Sequence, residues 1–292
     1  MKKNLQKLLY VALLGLATFT TFSCSNDDDK ETATPYATDE NLVALKGEDN
    51  MRDLGGYVGS NNKRILYDKL FRSGDLSALT TADVEHITSK GLTQIIDLRT
   101  STERKEKPDA SFNGIAHYDL SLLDESGSAS GIASGSTDVM GLILSGKMKA
   151  EDMMLPLYVI DDVKISQWTK IFDLLETGKT TLWHCTAGKD RAGMTTALVL
   201  SSLGVDRKVI IEDFMKSNDY LKASNQQTIN YINTQYGIPG MGEKLIPLLG
   251  VEEIYITNFF KDIETKYGSV DNFLEKIIKV DAAKMKSNFL EK

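Results

Sequence analysis

The sequence predicts an α/β protein with a mainly helical C-terminal part, and three observations predict it. Two short apolar runs, TQIIDL at 93–98 and TTLWH at 180–184, have the length and composition of buried strands. Helical patterns alternate with them at 79–91, 165–176 and 192–203. From 204 to the end the pattern is helical almost throughout, with one break near Gly237-Ile238-Pro239-Gly240. The 292 residues, 41% hydrophobic and 26% charged, suffice for one full-sized core or two small domains. The net charge of −7 points away from nucleic acid as a partner.

Taken in order, the chain starts with basic Lys2 and Lys3 and a mostly apolar run from Leu8 to Phe22. That run is too short and too interrupted to span a bilayer, and it reads as a secretory signal. It ends in Thr21-Phe22-Ser23-Cys24, which resembles a bacterial lipoprotein processing site with Cys24 as the acylated first residue. Residues 1–23 are then the signal peptide. The following SNDDD resembles an acidic export tag found on some surface lipoproteins. These resemblances imply an extracytoplasmic protein, lipid-anchored to the bacterial outer membrane. Residues 24–41 form an acidic tether and 42–292 the folded domain.

Within that domain NMRDLGGY, 50–57, reads as a tight turn with close backbone approach at its paired glycines. Residues 65–67 and 70–72 look like short strand pieces. Thr80 is the expected N-cap of a helix, with Asp83 three residues on and Gly91 at its C-terminus. Residues 99–109 are a charged connection or a short helix. SGSASGIASGS, inside 124–137, is too rich in Gly and Ser for regular structure. A methionine-rich stretch follows to 160. Residues 124–160 are thus a candidate lid, and equally a helix packed on the core. Gly178 and Gly204 close the helices at 165–176 and 192–203.

The chemistry lies at 185–191. A strand ends at Cys185, the loop Thr186-Ala187-Gly188-Lys189-Asp190 follows, and a helix begins near Arg191. A loop of this size can wrap backbone N–H groups round an anion at a helix N-terminus. The helix dipole and Arg191 favour an anionic sulfur at Cys185. Arg191 supplies a planar fork for two phosphate oxygens, and Gly188 lets the backbone curl inward. A Walker loop is excluded, because Trp183 stands where its first glycine belongs and Asp190 follows the lysine. With Cys24 removed, Cys185 has no partner for an intramolecular disulfide. The three histidines and two cysteines show no metal-ligand spacing, so neither metal nor cofactor is expected.

HCTAGKDRAG resembles the signature of cysteine-based protein tyrosine phosphatases, and in detail the bacterial tyrosine/lipid phosphatase family with HC-x-AGKDR-[ST]-G. NMRDLGGY, LFRSGDLSALT at 70–80, IIDLRTSTER at 95–104 and IETKYGSVDNFLEK at 263–276 resemble that family's other blocks. The resemblance implies a central, mainly parallel sheet flanked by helices. It also implies a phosphoric monoester hydrolase acting through a phosphocysteine. Its substrates would be phosphotyrosine, with phosphoserine, phosphothreonine and phosphoinositides as further classes. Cys185 is then the nucleophile; Thr186 to Arg191 bind the phosphate; Asp190 is the general acid, with Asp97 and Asp53 as alternatives. Lys189 is a second charge suited to a phosphoinositide head group, or a solvated side chain. His184, Arg52, Asp53 and Asp97 are supporting residues, as are Arg72 and Arg99.

One position departs from the family. The residue after Arg191 is Ala192, where a hydroxyl would help the thiolate leave in the second step. Thr195 and Thr196 replace it at best in part. A phosphate-ester binding module with weak turnover is therefore the alternative reading. A sulfur- or arsenate-handling enzyme would want a second cysteine, and a plain surface adhesin leaves the loop unexplained.

Overall fold

The computed structural model describes residues 41–124, 143, 146–236 and 240–292. The expected signal peptide, Cys24 and nearly all of the tether lie outside the described residues, as does most of 125–145. Among the described residues no helix is long and apolar enough to cross a membrane.

The described strands form one sheet: β1 (Arg52–Asp53), β2 (Leu70–Ser73), β3 (Gln94–Asp97), β4 (Ala116–Asp119) and β5 (Thr181–His184). Their order is β1-β2-β5-β3-β4, with β1 antiparallel to β2 and the other pairs parallel. Strands β2, β3 and β5 are buried at every residue, as central parallel strands covered on both faces must be. The side-chain period of two then divides their apolar residues between two cores. Phe71, Ile95 and Leu182 enter one core with Met51, Leu76 and Ile87. Leu70, Ile96 and Trp183 enter the larger one with Trp168, Phe172, Leu198 and Phe259.

The first core is closed by α1 (Thr81–Ser89), which starts in the capping box of Thr80 and Asp83 and ends before Gly91 at φ +81°. A second capping box, Thr100 with Glu103, starts the short α2 (Ser101–Glu106). After α3 (Ala150–Met154) and a 3-10 turn at Leu155–Tyr158 comes α4 (Asp162–Leu175). It lays Trp168, Ile171, Phe172 and Leu175 on the larger core. Helix α5 (Asp190–Ser202) is buried nearly all round, its polar Thr195, Thr196 and Ser202 included. The helical remainder comprises α6 (Arg207–Met215), α7 (Ser217–Tyr220), α8 (Lys222–Tyr236), α9 (Ile246–Leu249), α10 (Glu253–Tyr267), α11 (Val270–Asn272) and α12 (Ala282–Phe289).

Two expectations need correction, and one strand lies outside them. Residues 65–67 form no strand: Ile65 makes an isolated bridge to Leu290, and Leu66 donates to the Phe289 carbonyl at 2.8 Å. The expected turn at 50–57 begins with the short strand β1, although Gly55 and Gly56 do make a close turn, packed on Tyr67. Strand β4 was not anticipated. As an edge strand with the sequence AHYD it carries no apolar alternation, and its pairing with β3 alone holds it.

Candidate active site

Strand β5 is the middle of the sheet and ends at His184, so Cys185 lies where the central parallel strand gives way to loop. Open α/β sheets bind their ligands at this edge. Cys185 is a free thiol, 2% exposed.

The loop is shaped from behind. Asp75 N donates to the Thr186 carbonyl at 2.9 Å, and Asn50 Nδ2 to that of Ala187 at 2.8 Å. Arg72 Nη2 donates to those of Gly188 at 2.7 Å and Lys189 at 3.3 Å. Four consecutive carbonyls are thus held outward. In a trans peptide the next residue's N–H points the opposite way, and no peptide here is cis. The N–H groups of Ala187, Gly188, Lys189 and Asp190 therefore face the concave side, where α5 begins and its first N–H groups lack intrahelical partners. Gly188 sits at φ +70°, and a Cβ there would come within 2.5 Å of Gly74 N and 2.6 Å of the Ser73 carbonyl carbon. Only glycine fits.

The bracing layer is itself braced by Asp213 on α6. Its carboxylate accepts from Arg72 Nη1 at 2.6 Å, Arg52 Nε at 3.2 Å and Tyr57 Oη at 3.1 Å. Burial opposes that charge, but the two arginines hold Asp213 below the usual carboxylate range. Arg52 also donates to Asn50 Oδ1, which turns Asn50 toward the loop. Beneath lies Glu48, whose two oxygens accept from Gly74 N at 2.8 Å and Asn50 N at 2.9 Å. Among the described residues no basic side chain bonds it, and burial pushes its pKa up to about 7.

Arg191 is fixed by Glu103. The carboxylate accepts from Nη1 and Nη2, each at 2.7 Å, in a bidentate pair. It also accepts from Thr186 Oγ1 at 2.7 Å. Burial opposes ionisation of Glu103, yet Arg191 holds its pKa well below the ordinary range. One carboxylate thus ties the guanidinium, the loop and the start of α2 together. Sequence reasoning missed Glu103, Asp213, Asn50 and Glu48. The spacing of Thr100 and Glu103 was the one signal that could have marked a helix start at α2.

The remaining expected residues divide. Asp190 opens α5, and its Oδ1 accepts from Tyr158 Oη. Burial, then Asp190, holds Tyr158 well above the usual tyrosine range, so it remains a donor. Lys189 is buried, not solvated, with Nζ donating to the carbonyls of Gly250 at 2.7 Å and Leu248. Burial lowers its pKa. Asp53 sits apart from the loop, accepting from Gly55 N and Asp68 N, each at 2.8 Å. Asp97 grips Arg99 and lies beside His184 at the end of β5, not in the cradle. Burial raises its pKa, but His184 and Arg99 bring it below the usual range. The Thr195 hydroxyl donates to the Arg191 carbonyl at 3.0 Å and accepts from Trp168 Nε1 at 3.1 Å. That of Thr196 donates to the Ala192 carbonyl at 2.8 Å and accepts from Trp183 Nε1 at 3.1 Å. Both hydroxyls are committed to partners behind the loop, so neither stands in for the hydroxyl absent at Ala192.

A cysteine at the foot of an N–H cradle, with a fixed arginine behind it, defines the class of cysteine-dependent phosphatases. The comparisons agree. Residues 43–291 match the model of the tyrosine phosphatase family, and the chain belongs to that family. A Cupriavidus necator protein assigned as a tyrosine-protein phosphatase is 30% identical over 82% of this chain and 85% of its own. The triple specificity protein phosphatase PtpB of Mycobacterium tuberculosis is 27% identical over 79% of this chain and 91% of its own. The crystal structure of P. aeruginosa TpbA with pTyr is 12% identical, covers 57% of this chain and 82% of its own, and superposes with a TM-score of 0.31. At that score it adds nothing to the assignment, which rests on the family and the sequence relatives. The chain is a phosphatase of the protein-tyrosine-phosphatase type.

Proposed function

We propose that the chain hydrolyses phosphotyrosine, and beside it phosphoserine, phosphothreonine and phosphoinositides, through a phosphocysteine. The observation that carries this is the loop, with its carbonyls held outward and its N–H groups inward above Cys185. The Cys185 thiolate attacks phosphorus as the ester P–O bond breaks, and the leaving oxygen takes a proton from Asp190. The loop N–H groups and Arg191 stabilise the equatorial oxygens. Water then displaces the sulfur, giving inorganic phosphate and the restored thiolate.

Breadth of substrate is supported by the relative named as a triple specificity phosphatase. Lys189 is a poor candidate for recruiting extra phosphates, because two carbonyls already hold its ammonium. The leader ending at Cys24 supports secretion and lipid anchoring at the outer membrane. The test is a panel of phosphotyrosine, phosphoserine and phosphothreonine peptides and phosphoinositide vesicles, compared by kcat/KM. Turnover of the phosphotyrosine peptide is the expected result, and failure on every member of the panel would sink the proposal. The weak-turnover reading keeps one specific support, the missing hydroxyl at Ala192.

A further inference from the structure

Among the described residues outside the cradle, one cluster of potential ligand side chains is explained by nothing in the phosphatase mechanism. Asp97, Asp109, His117 and His184 each offer one atom, and these four atoms lie within 4.8 Å of one another. The parallel register builds it: Asp97 at the end of β3 is level with His184 at the end of β5, and His117 comes from neighbouring β4. Asp109 arrives on the connection before β4.

His184 is the observation that points to a ligand. It is fully buried, yet neither ring nitrogen makes a hydrogen bond. Nε2 lies 3.2 Å from Asp109 Oδ2, close but not in hydrogen-bond geometry, and 3.7 Å from Asp97 Oδ2, beyond hydrogen-bond reach. His117 Nε2 stands 3.6 Å from the same Asp109 oxygen. Tetrahedral zinc, with bonds near 2.0–2.2 Å, sets its ligand atoms about 3.3–3.6 Å apart. Three of the spacings, 3.2, 3.6 and 3.7 Å, are close to those, and all four atoms lie within 4.8 Å of one another. Carboxylates that ligate a metal are in turn hydrogen-bonded by outer-shell groups, and Arg99 supplies those bonds. It donates to Asp109 Oδ1 at 2.7 Å, leaving Oδ2 toward the histidines, and to both oxygens of Asp97. His117 is 37% exposed and provides the way in, beside the half-exposed carboxylate of Asp119, 3.9 Å from its Nε2.

We propose that Asp97, Asp109, His117 and His184 form a binding site for a divalent transition-metal cation of the zinc type, separate from the phosphate cradle. Two imidazoles and two carboxylates are a borderline donor set that suits zinc better than magnesium or calcium. The cation takes no part in ester cleavage. His184 is bonded directly to Cys185, so occupancy fixes the residue that ends the central strand behind the nucleophile.

The experiment measures Zn(II) by titration calorimetry and Co(II) by visible absorption on the full chain carrying Cys185→Ser, which removes the thiolate as a competing ligand. Parallel titrations use the same chain with His117→Ala added, and with Asp109→Asn added. The expected result is one equivalent of Zn(II), a tetrahedral Co(II) spectrum, and at least ~10²-fold weaker binding in each added variant. Thermal unfolding of His117→Ala checks its fold; the side chain is partly exposed, so its loss should leave the fold intact. No binding to Cys185→Ser would overturn the proposal and make the cluster an ion-pair network only. Binding unchanged by His117→Ala and Asp109→Asn would overturn it as well, placing the cation elsewhere.

Discussion

Glu103→Gln is the perturbation that follows most directly from the site. The carboxylate accepts from both Arg191 Nη atoms and from Thr186 Oγ1, all at 2.7 Å, and from Thr100 N at 2.8 Å and Thr100 Oγ1 at 3.0 Å. A glutamine keeps one acceptor oxygen and turns an NH2 toward the other donors. Whichever way the amide sits, one prong of the Arg191 fork meets a donor, and the countercharge is gone. Removing one partner of a buried pair costs about 3–5 kcal/mol. The Glu103 and Arg191 side chains retain 14% and 10% exposure, which favours the lower end. Felt in the transition state, about 3 kcal/mol is a ~10²-fold loss of kcat/KM. The assay is p-nitrophenyl phosphate hydrolysis beside thermal unfolding. Thr100→Val is the control, because it cuts the α2 capping box without touching Arg191. It should cost about 1 kcal/mol of stability and little activity. A folded Glu103→Gln enzyme with kcat/KM within about threefold of wild type would refute the reasoning.

Gly188→Ala should abolish phosphate binding and lower stability by about 1–3 kcal/mol, since the residue is at φ +70° and its Cβ would strike the Ser73–Gly74 backbone; a variant that binds vanadate normally would contradict this. Glu48 makes stability pH-dependent. Its folded-state pKa, about 7, lies above the unfolded value of 4.5, so the folded state binds more protons between them and stability falls as pH rises through that window. The span corresponds to about 3 kcal/mol. Glu48→Gln should therefore gain on wild type by about that amount between pH 5 and pH 8, and a difference that does not change with pH in denaturant titrations would count against the account. Ala192→Thr should speed breakdown of the phosphocysteine, because neither Thr195 nor Thr196 has a hydroxyl to spare; acid quenching during turnover measures the trapped intermediate, and equal amounts in the two enzymes would argue otherwise.

The candidate site was partly legible in the sequence because its cysteine, N–H loop and arginine fall within seven consecutive residues between a buried strand and a buried helix. Local spacing carries such an arrangement. The bracing shell is different in kind: Glu103 meets Arg191 across 88 residues, and Asp213 meets Arg72 across 141. Nothing periodic marks a carboxylate as the partner of a distant guanidinium. Lys189 shows the converse error. Its place in the motif suits a charge facing substrate or a solvated side chain, whereas tertiary packing delivers two carbonyls of the segment before α10 to its ammonium. In the same way β4 exists only through its partner, and the cluster at the sheet's C-terminal edge comes from strand register, which residue spacing does not encode.

The central claim is that Cys185 attacks phosphorus from the N–H cradle. The most direct test is p-nitrophenyl phosphate hydrolysis by wild type and Cys185→Ser with a strong chelator present. The account predicts sustained turnover by wild type and none above background by Cys185→Ser, with phosphate binding retained in the variant. Equal turnover in both, or wild-type activity abolished by the chelator, would contradict it.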